Sequence, residues 1–417
     1  MRIFSIAVLT AINILMIIQC NFAQWIQTNE PHNVNVSCII SNGSAIFIGT
    51  DNSGIFLSTD NGMNWKKANN GITDSAVTCL TVSGANIFAG TGGGGIYRSP
   101  NNGNNWIQLI GPFTGNDYIN SVITSNSTII VGTLNSGIYI SLDNGINWQQ
   151  ANNGLLPHTW ILSLIESNNN IFVGSQNGIF RSSDNGSTWL QLNSGLPTDS
   201  YINTFAKSGI NIFAGMAAGE GIYITTDYGN NWSQRSNGLS TYPWVFSITT
   251  KDSNIFATSV DGTTGNWNIS ISTNNGKNWQ QVNDNLPINI ISRSLAIIGG
   301  YVFLGTNNGV WRRPISELVT GINERQNNLF NSFSLRQNFP NPFNPTTTIC
   351  YSVPKTSFVT IKVYDVLGKE IETLVNDEKP SGSYKVEFDG SKFTSGIYFY
   401  RMQAGSFVET KKLIVLK

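Results

Sequence analysis

Short apolar segments that alternate with Gly- and Asn-rich turns recur along most of the chain. In the first group, Val36–Ile40 and Gly54–Ser58 alternate, Ala45–Gly49 is apolar, and Trp65 opens a further short segment. Alternation with a period of two indicates strands with one buried face, and the intervening Gly, Asn and Ser residues favour tight turns. The pattern therefore predicts an all-β fold built from repeats of four short strands.

An eight-residue motif, Ser/Thr-x-Asp/Asn-x-Gly-x-x-Trp, occurs six times, with its tryptophans 41 to 47 residues apart. We expect its Asp or Asn to accept backbone N–H bonds, its Gly to adopt a positive φ, and its Trp to pack under the turn. Four strands within a repeat of this length are typical of one blade of a β-propeller. The motif positions are Asp60 and Trp65, Asn101 and Trp106, Asp143 and Trp148, Asp184 and Trp189, Asp227 and Trp232, and Asn274 and Trp279.

The number of repeats follows from a second marker, a Gly-Thr-like pair that ends the second strand. It occurs seven times, from Gly49-Thr50 to Gly305-Thr306, but the seventh repeat stops at Pro314 without a fourth strand. Trp25–Thr28 resembles Trp279–Val282 and is expected to supply that strand. The prediction for residues 24–314 is a seven-bladed β-propeller that the N-terminal strand closes. In its motifs this segment resembles the Asp-box (BNR) propellers of sialidases and sortilin-type ectodomains, where the box is structural.

Charge is sparse and unevenly distributed. The chain has 24 Lys+Arg and 24 Asp+Glu, and residues 24–314 carry 11 basic and 14 acidic side chains against 11 and 8 in residues 336–417. A chain with no net charge lacks the positive surface that binding to nucleic acid or to anionic membranes requires, so neither is expected as a partner. The change in charge density predicts a domain boundary, with residues 315–334 as the linker.

Residues 1–23 have the pattern of a signal peptide. Arg2 precedes the apolar run Ile3–Ile18, and Ala23 offers a small residue for cleavage. The run is short for a membrane span, which remains one alternative; Cys20 raises a lipoprotein as another, which the bulky Gln19 disfavours. We expect an exported bacterial protein without a membrane span after cleavage.

Candidate chemistry in the propeller is limited. His32 and His158 are the only histidines and lack ligand-spaced neighbours, so we predict no metal and no cofactor. Cys38 and Cys79 occupy a position that is small in every repeat, which favours buried residues near the axis, with a disulfide as the alternative. In the later repeats that position holds Ser121, Ser163, Thr204, Ser247 and Ser294.

Catalytic residues are also weakly indicated. The sialidase resemblance implies an arginine cluster and an early Phe/Tyr-Arg-Ile-Pro motif, and the motif is missing from the sequence. A two-carboxylate glycosidase could be built from loop residues, although Asp in such loops is usually a turn former. The prediction is that the protein is not an enzyme, with a sialidase-like glycoside hydrolase as the alternative. The loop carboxylates are Asp74, Asp117, Asp199 and Asp261.

Aromatic residues recur just before the first strand of four consecutive repeats. Rings beside Asn and Asp bind sugar rings or peptide side chains, so these positions predict a ligand face for a glycan or a surface protein. The alternatives are rings that pack between blades, or a structural surface protein without a ligand. The candidate binding residues are Tyr118, Trp160, Tyr201 and Trp244, with Tyr242 and Trp267 on nearby loops.

From Leu335 onward the pattern predicts a small, Ig-like β-sandwich. The predicted strands are Ile349–Val353, Val359–Tyr364, Glu370–Leu374, Tyr384–Phe388, Ile397–Gln403 and Glu409–Val415. Residues 335–417 closely resemble the type A C-terminal sorting domain of type IX secretion cargo, and an ordinary Ig-like binding module is the alternative. The resemblance rests on Asn338–Pro345, Val363–Glu370, Ser395–Tyr400 and Lys411–Lys417. It implies Sec export, the type IX translocon and sortase machinery as partners, and a secreted or cell-surface location.

Overall fold

The structure, a computed structural model, describes residues 24–113, 117–125, 127–319, 333–338, 341–380 and 382–416. The predicted signal peptide, with Cys20, lies outside the described residues. The chain forms two compact units, Met1–Leu318 and Val319–Lys417.

Within its described residues, the first unit forms seven four-stranded antiparallel sheets. In sheets 1 to 6 the strands follow one another along the chain. Sheet 1 contains Val36–Asn42, Ala45–Thr50, Gly54–Ser58 and Lys66–Lys67; sheet 2 contains Val77–Ser83, Asn86–Thr91, Ile96–Ser99 and Ile107–Leu109; sheet 3 contains Ile119–Ser125, Thr128–Thr133, Ile138–Ser141 and Gln149–Gln150. Sheet 4 contains Ile161–Ser167, Asn170–Ser175, Gly178–Ser182 and Leu190–Gln191; sheet 5 contains Ile202–Ser208, Asn211–Met216, Ile222–Thr225 and Ser233–Gln234; sheet 6 contains Pro243–Lys251, Asn254–Asp261, Trp267–Ser272 and Gln280–Gln281.

Sheet 7 combines the two ends of the unit. Its first three strands are Ser292–Ile298, Tyr301–Thr306 and Gly309–Pro314, and its fourth is Ile26–Gln27. Ile26 pairs with Arg312 and Gln27 with Trp311. The first strands of successive sheets lie side by side, and that of sheet 7 lies beside that of sheet 1, so the ring is closed.

Neighbouring sheets pack closely because glycine is the second-to-last residue of most of the second strands. A methyl group on Gly49 would lie 2.6 Å from Cγ1 of Val77, the first residue of sheet 2. The same contact recurs at five other interfaces, where Ile or Val faces Gly. Between sheets 6 and 7 the equivalent residues are Thr258 and Ser292, both buried. At this interface Thr258 is larger than the usual glycine, and Ser292 is smaller than the usual Ile or Val, so the packed volume is similar.

The first unit extends beyond the predicted propeller boundary. Residues 315–319 are helical, Leu318 is buried, and the backbone N–H of Ile315 donates to the carbonyl of Gly300. None of the helical segments in the described part of the chain could span a membrane.

The second unit is a two-layer β structure around one core. One sheet contains Ser334–Leu335, Thr346–Val353 and Gly382–Asp389, and the other contains Glu370–Lys379, Ser357–Tyr364, Gly396–Ala404 and Phe407–Val415, in that order. A 3-10 helix covers Gly390–Lys392. Each strand predicted for this segment is present, with longer bounds. The buried Tyr400 hydroxyl binds the opening segment, since it accepts from the N–H of Asn338 and donates to the carbonyl of Arg336.

Candidate functional site

The repeated box is a hydrogen-bonded turn between the third and fourth strands. In the first box the Ser58 hydroxyl donates to Oδ1 of Asp60 at 2.8 Å and accepts from the N–H of Gly62 at 2.9 Å. Asp60 also accepts the backbone N–H of Asn64 at 2.9 Å and its side-chain amide at 2.7 Å. The Asp-centred boxes at Asp143, Asp184 and Asp227 repeat these bonds.

Two successive box residues adopt the left-handed conformation. Asn61 has φ 57° and Gly62 has φ 76°. Asparagine precedes the glycine in five boxes and Tyr228, at φ 59°, in the sixth. Because Asn tolerates positive φ better than most residues, the turn explains part of the asparagine content. The positive φ of the glycine was expected from the sequence, whereas the left-handed residue before it was not.

The box tryptophan bonds to the preceding sheet in most repeats. The indole N–H of Trp106 donates to the carbonyl of Ala68 at 2.8 Å. Trp189, Trp232 and Trp279 make the equivalent bond, and Trp65 uses the hydroxyl of Thr28. Trp148 differs, since it donates to Gly145 in its own box. The box tryptophan, which was expected to pack under the turn, thus links two sheets by a hydrogen bond in five of the six boxes.

Hydrogen bonds lower the pKa of the box carboxylates. Donation by Asn64 and Asn147 holds the pKa of Asp60 and Asp143 at about 2, and donation by Thr188 does the same for Asp184. A carboxyl whose folded pKa lies below its unfolded value stabilises the fold above the unfolded pKa, near 4, and stops doing so as the pH falls through about 2.

We therefore expect the melting temperature to fall as the pH is lowered from about 4 to 2. Asn101 and Asn274 show that the box accommodates asparagine. The matched variant is Asp60→Asn, Asp143→Asn and Asp184→Asn combined, which should show a weaker acid dependence in thermal melts. Equal pH slopes for the variant and the unmodified protein would contradict this assignment.

The aromatic positions lie on the opposite side of the ring, which we call the loop face. It is formed by the loops between second and third strands and between one sheet and the next. The carbonyls of Tyr118, Trp160 and Tyr201 each accept the N–H of the residue that follows the second strand, at 3.1, 3.4 and 2.9 Å. Trp244 pairs with Val260 in the same place, inside a longer strand. One backbone position therefore presents four successive aromatic residues.

Several of these rings are exposed to solvent. Tyr118 is 39% exposed, Trp160 43% and Trp244 44%, while Tyr201 is half-buried. Trp160 meets Tyr201 edge to face, with centroids 6.4 Å apart. A methyl group on Gly92 would touch the Tyr118 ring, so a small neighbour leaves that ring uncovered.

Sheet 6 adds further aromatic residues to this face. Tyr242 precedes its first strand with φ 48° and is 65% exposed. Trp267 begins the third strand and lies on Phe246, with centroids 4.8 Å apart. The first two strands of sheet 6 have nine and eight residues, against seven and six in the other sheets. The pairing of Val260 with Trp267 extends the hairpin between its second and third strands at the loop face.

A bulge in every first strand leaves one residue unpaired, and several of these side chains donate to the neighbouring sheet. The Thr78 hydroxyl donates to the carbonyl of Ile119, and the Asn120 and Asn203 amides donate to Leu162 and Val245. The seven bulge residues are Ser37, Thr78, Asn120, Leu162, Asn203, Phe246 and Arg293.

Arg293 gives the loop face a cation near one of its aromatic residues. The Arg293 side chain is exposed at its bulge. Burial raises the pKa of Tyr118, Asp51 raises it further, and Arg293 lowers it. Both charged groups therefore act on the Tyr118 hydroxyl.

Three of the four loop carboxylates accept hydrogen bonds from loop residues. Asp74 accepts the N–H groups of Ala76 and Gly93. Asp117 is buried and accepts from the Ser136 hydroxyl, and Asp261 accepts from Thr263 and Thr264 in its own turn. The bonds of Asp74 to Ala76 and of Asp261 to Thr263 fit the turn-forming role, whereas Asp117 joins two loops of sheet 3.

Asp199 is exposed, and its charge acts on a second carboxyl, Glu220, which was not among the predicted site residues. Glu220 lies on the next loop of sheet 5, and burial raises its pKa, with Asp199 adding to the increase and the Ser200 hydroxyl opposing it. The sequence signal that could have pointed to Glu220 is its position between two glycines in a loop that has no other charged residue.

The cysteines occupy the predicted position. Cys38 pairs with Gly49 and Cys79 with Gly90, and the equivalent small residue pairs with glycine in every later sheet except sheet 6, where Ser247 pairs with Thr258. Both thiols are free and half-buried. Burial raises the pKa of Cys79 to about 11 and that of Cys38 further, so neither is activated as a nucleophile.

Comparison with known families identifies the second unit. Residues 337–416 match the family model described as the secretion system C-terminal sorting domain. This confirms the resemblance, and the domain indicates type IX secretion to the cell surface or the extracellular space. No curated protein matches the chain.

Solved structures similar to the chain are β-propellers. The YCF48 protein of Cyanidioschyzon merolae has a TM-score of 0.55 at 14% identity, over 70% of this chain and 98% of that one. A GH74 xyloglucanase from Xanthomonas campestris has a TM-score of 0.57 at 14% identity, over 79% of this chain and 59% of that one. The extracellular domain of a putative hybrid two-component system from B. thetaiotaomicron scores 0.57 at 15% identity, over 80% of this chain and 46% of that one. At these identities the similarity shows the propeller fold alone.

Proposed function

We propose that the first unit is a seven-bladed β-propeller that acts outside the cell as a non-catalytic binding module. Its ligand is a glycan or a protein, held on the loop face, and the second unit is a small Ig-like β-sandwich that directs its export. The observation that carries the proposal is the exposure of Trp160 and Trp244, 43% and 44%, at equivalent backbone positions.

Exposed tryptophan rings on a rigid frame favour a glycan. A flat ring offers a large apolar surface to a sugar face and loses little side-chain entropy on binding. Polar groups lie among the rings: the backbone N–H of Gln176 donates to the Trp160 carbonyl, and its side-chain amide donates to the His158 carbonyl at 3.0 Å. The fold is shared by a xyloglucanase and by YCF48 bound to a D1 peptide, so a protein ligand is the other outcome of the test.

A glycoside hydrolase is the second candidate, and Glu220 is the observation that favours it. Its raised pKa is what a general acid requires, and Asp199 is a second carboxylate beside it. Against this, Asp74 and Asp261 accept hydrogen bonds within their own turns, and the buried Asp117 accepts one from the Ser136 hydroxyl on another loop. Binding without turnover therefore fits more of the loop face.

The test exposes the mature chain, residues 24–417, to arrays of oligosaccharides and peptides and then assays bound sugars for new reducing ends. We expect binding to oligosaccharides without hydrolysis. Hydrolysis that is lost in Glu220→Gln and kept in Glu166→Gln, a control on the opposite face, would show that the protein is an enzyme and not a binding module. Binding to peptides alone would assign a protein ligand.

A further inference from the structure

One end of the four-stranded sheet in the second unit carries several exposed apolar side chains. The register pairs Tyr364 with Phe399 and Gly396 with Val415, so the loop after Ser357–Tyr364, the start of Gly396–Ala404 and the end of Phe407–Val415 share that end. We call it the apolar end, and it comprises Val366, Leu367, Ile397 and Leu416, which are 66%, 90%, 45% and 49% exposed.

The loop that presents Val366 and Leu367 is fixed by hydrogen bonds. Oδ1 of Asp365 accepts the N–H groups of Leu367 and Lys369, both at 2.9 Å, and the N–H of Asp365 donates to the Lys369 carbonyl at 3.0 Å. Gly368 closes the turn at φ 79°. A local hydrogen-bonded turn thus holds two adjacent apolar side chains in solvent.

The opposite end of the sheet differs. Phe358 and Val408 are exposed there, 57% and 54%, but Phe358 pairs with Glu378 and Val408 with Gln403. Single exposed apolar residues among polar neighbours are ordinary on protein surfaces. Four at one end, two of them on a rigid turn, indicate a contact surface.

We propose that the apolar end is the surface that the outer-membrane export machinery binds, with Val366 and Leu367 entering an apolar pocket of a translocon protein. All four residues lie within the matched sorting domain, residues 337–416, whose role is recognition by that machinery.

The test is secretion of the full chain from a bacterium that has a type IX system. Val366→Thr combined with Leu367→Asn removes the apolar surface of the turn and keeps its backbone. Loss of a central anchor weakens an interface by about tenfold or more, and secretion into the medium should fall by about tenfold, with the protein retained in the periplasm. Melting curves of the purified chain should be unchanged.

Matched controls separate recognition from folding and from self-association. Phe358→Asn combined with Val408→Thr alters the opposite end and should leave secretion normal. Should the turn variant fail to fold, Leu416→Asn tests the same end outside the turn and is expected to reduce secretion too. Normal secretion of folded apolar-end variants would overturn the proposal, as would equal loss in the opposite-end control. A chain that forms dimers only when the apolar end is intact, and is secreted normally without it, would assign the surface to a second copy.

Discussion

Replacing Trp25 with alanine is expected to lower the free energy of unfolding of the propeller by about 3–5 kcal/mol. Trp25 is 1% exposed, and its indole N–H donates to the carbonyl of Val282 at 2.8 Å. That carbonyl corresponds to the one the box tryptophans use, because it too follows the fourth strand of the preceding sheet. Trp25 thus takes the place of the box tryptophan that sheet 7 lacks.

The same segment joins three sheets. Trp25 binds sheet 6, Ile26–Gln27 completes sheet 7, and the Thr28 hydroxyl accepts from Trp65 of sheet 1 at 3.2 Å. Deleting residues 24–33 should therefore cost more than Trp25→Ala, since it also exposes a strand of sheet 7.

Denaturant unfolding followed by tryptophan fluorescence measures both changes. Ile26→Ala is the control, because Ile26 is 55% exposed in the same strand and its loss should cost about 1 kcal/mol or less. An unchanged unfolding midpoint for Trp25→Ala or for the deletion would show that the N-terminal strand does not close the ring.

Gly154→Ala is expected to destabilise the propeller by about 3–5 kcal/mol. Gly154 has φ 95°, and a methyl group there would lie 2.1 Å from the carbonyl oxygen of Trp189 in the next sheet. The strain cannot be relieved locally, because the backbone N–H of Trp189 donates to the carbonyl of Asn153 at 2.9 Å. The substitution combines an unfavourable φ with a clash between backbones.

The control is Gly84→Ala, where φ is 58° and no atom lies within 4 Å of the added methyl group. It isolates the cost of the left-handed conformation, about 1–2 kcal/mol. Equal losses at Gly84 and Gly154, measured as unfolding free energies, would contradict the role assigned to contact between sheets.

The repeat made much of the fold predictable. The box motif marks each turn because Asp60 and its equivalents need donors at fixed spacing, and alternation marks the strands of both units. The seventh repeat stops at Pro314 without a fourth strand, which would leave an open sheet edge. The sequence therefore predicted that Trp25–Thr28 supplies that strand.

What the sequence could not determine depends on neighbours that are distant along the chain. The bulge at Arg293 and the bond from Trp106 to Ala68 depend on packing between sheets, which periodicity does not encode. The exposure of Tyr118 depends on Gly92, whose contact requires the folded ring. The effect of Asp199 on the pKa of Glu220 likewise depends on two different loops of the folded chain.

Paired measurements on Trp160→Ala and Trp244→Ala test the loop-face account most directly. Each variant of the mature chain is compared with the unmodified protein for melting temperature and for affinity toward the oligosaccharide found by array. Because both rings are more than two-fifths exposed, at 43% and 44%, we expect little change in melting temperature and at least about tenfold weaker binding. A stability loss of about 3–5 kcal/mol in both variants would show that the rings pack between blades, and unchanged affinity would show that the ligand binds elsewhere.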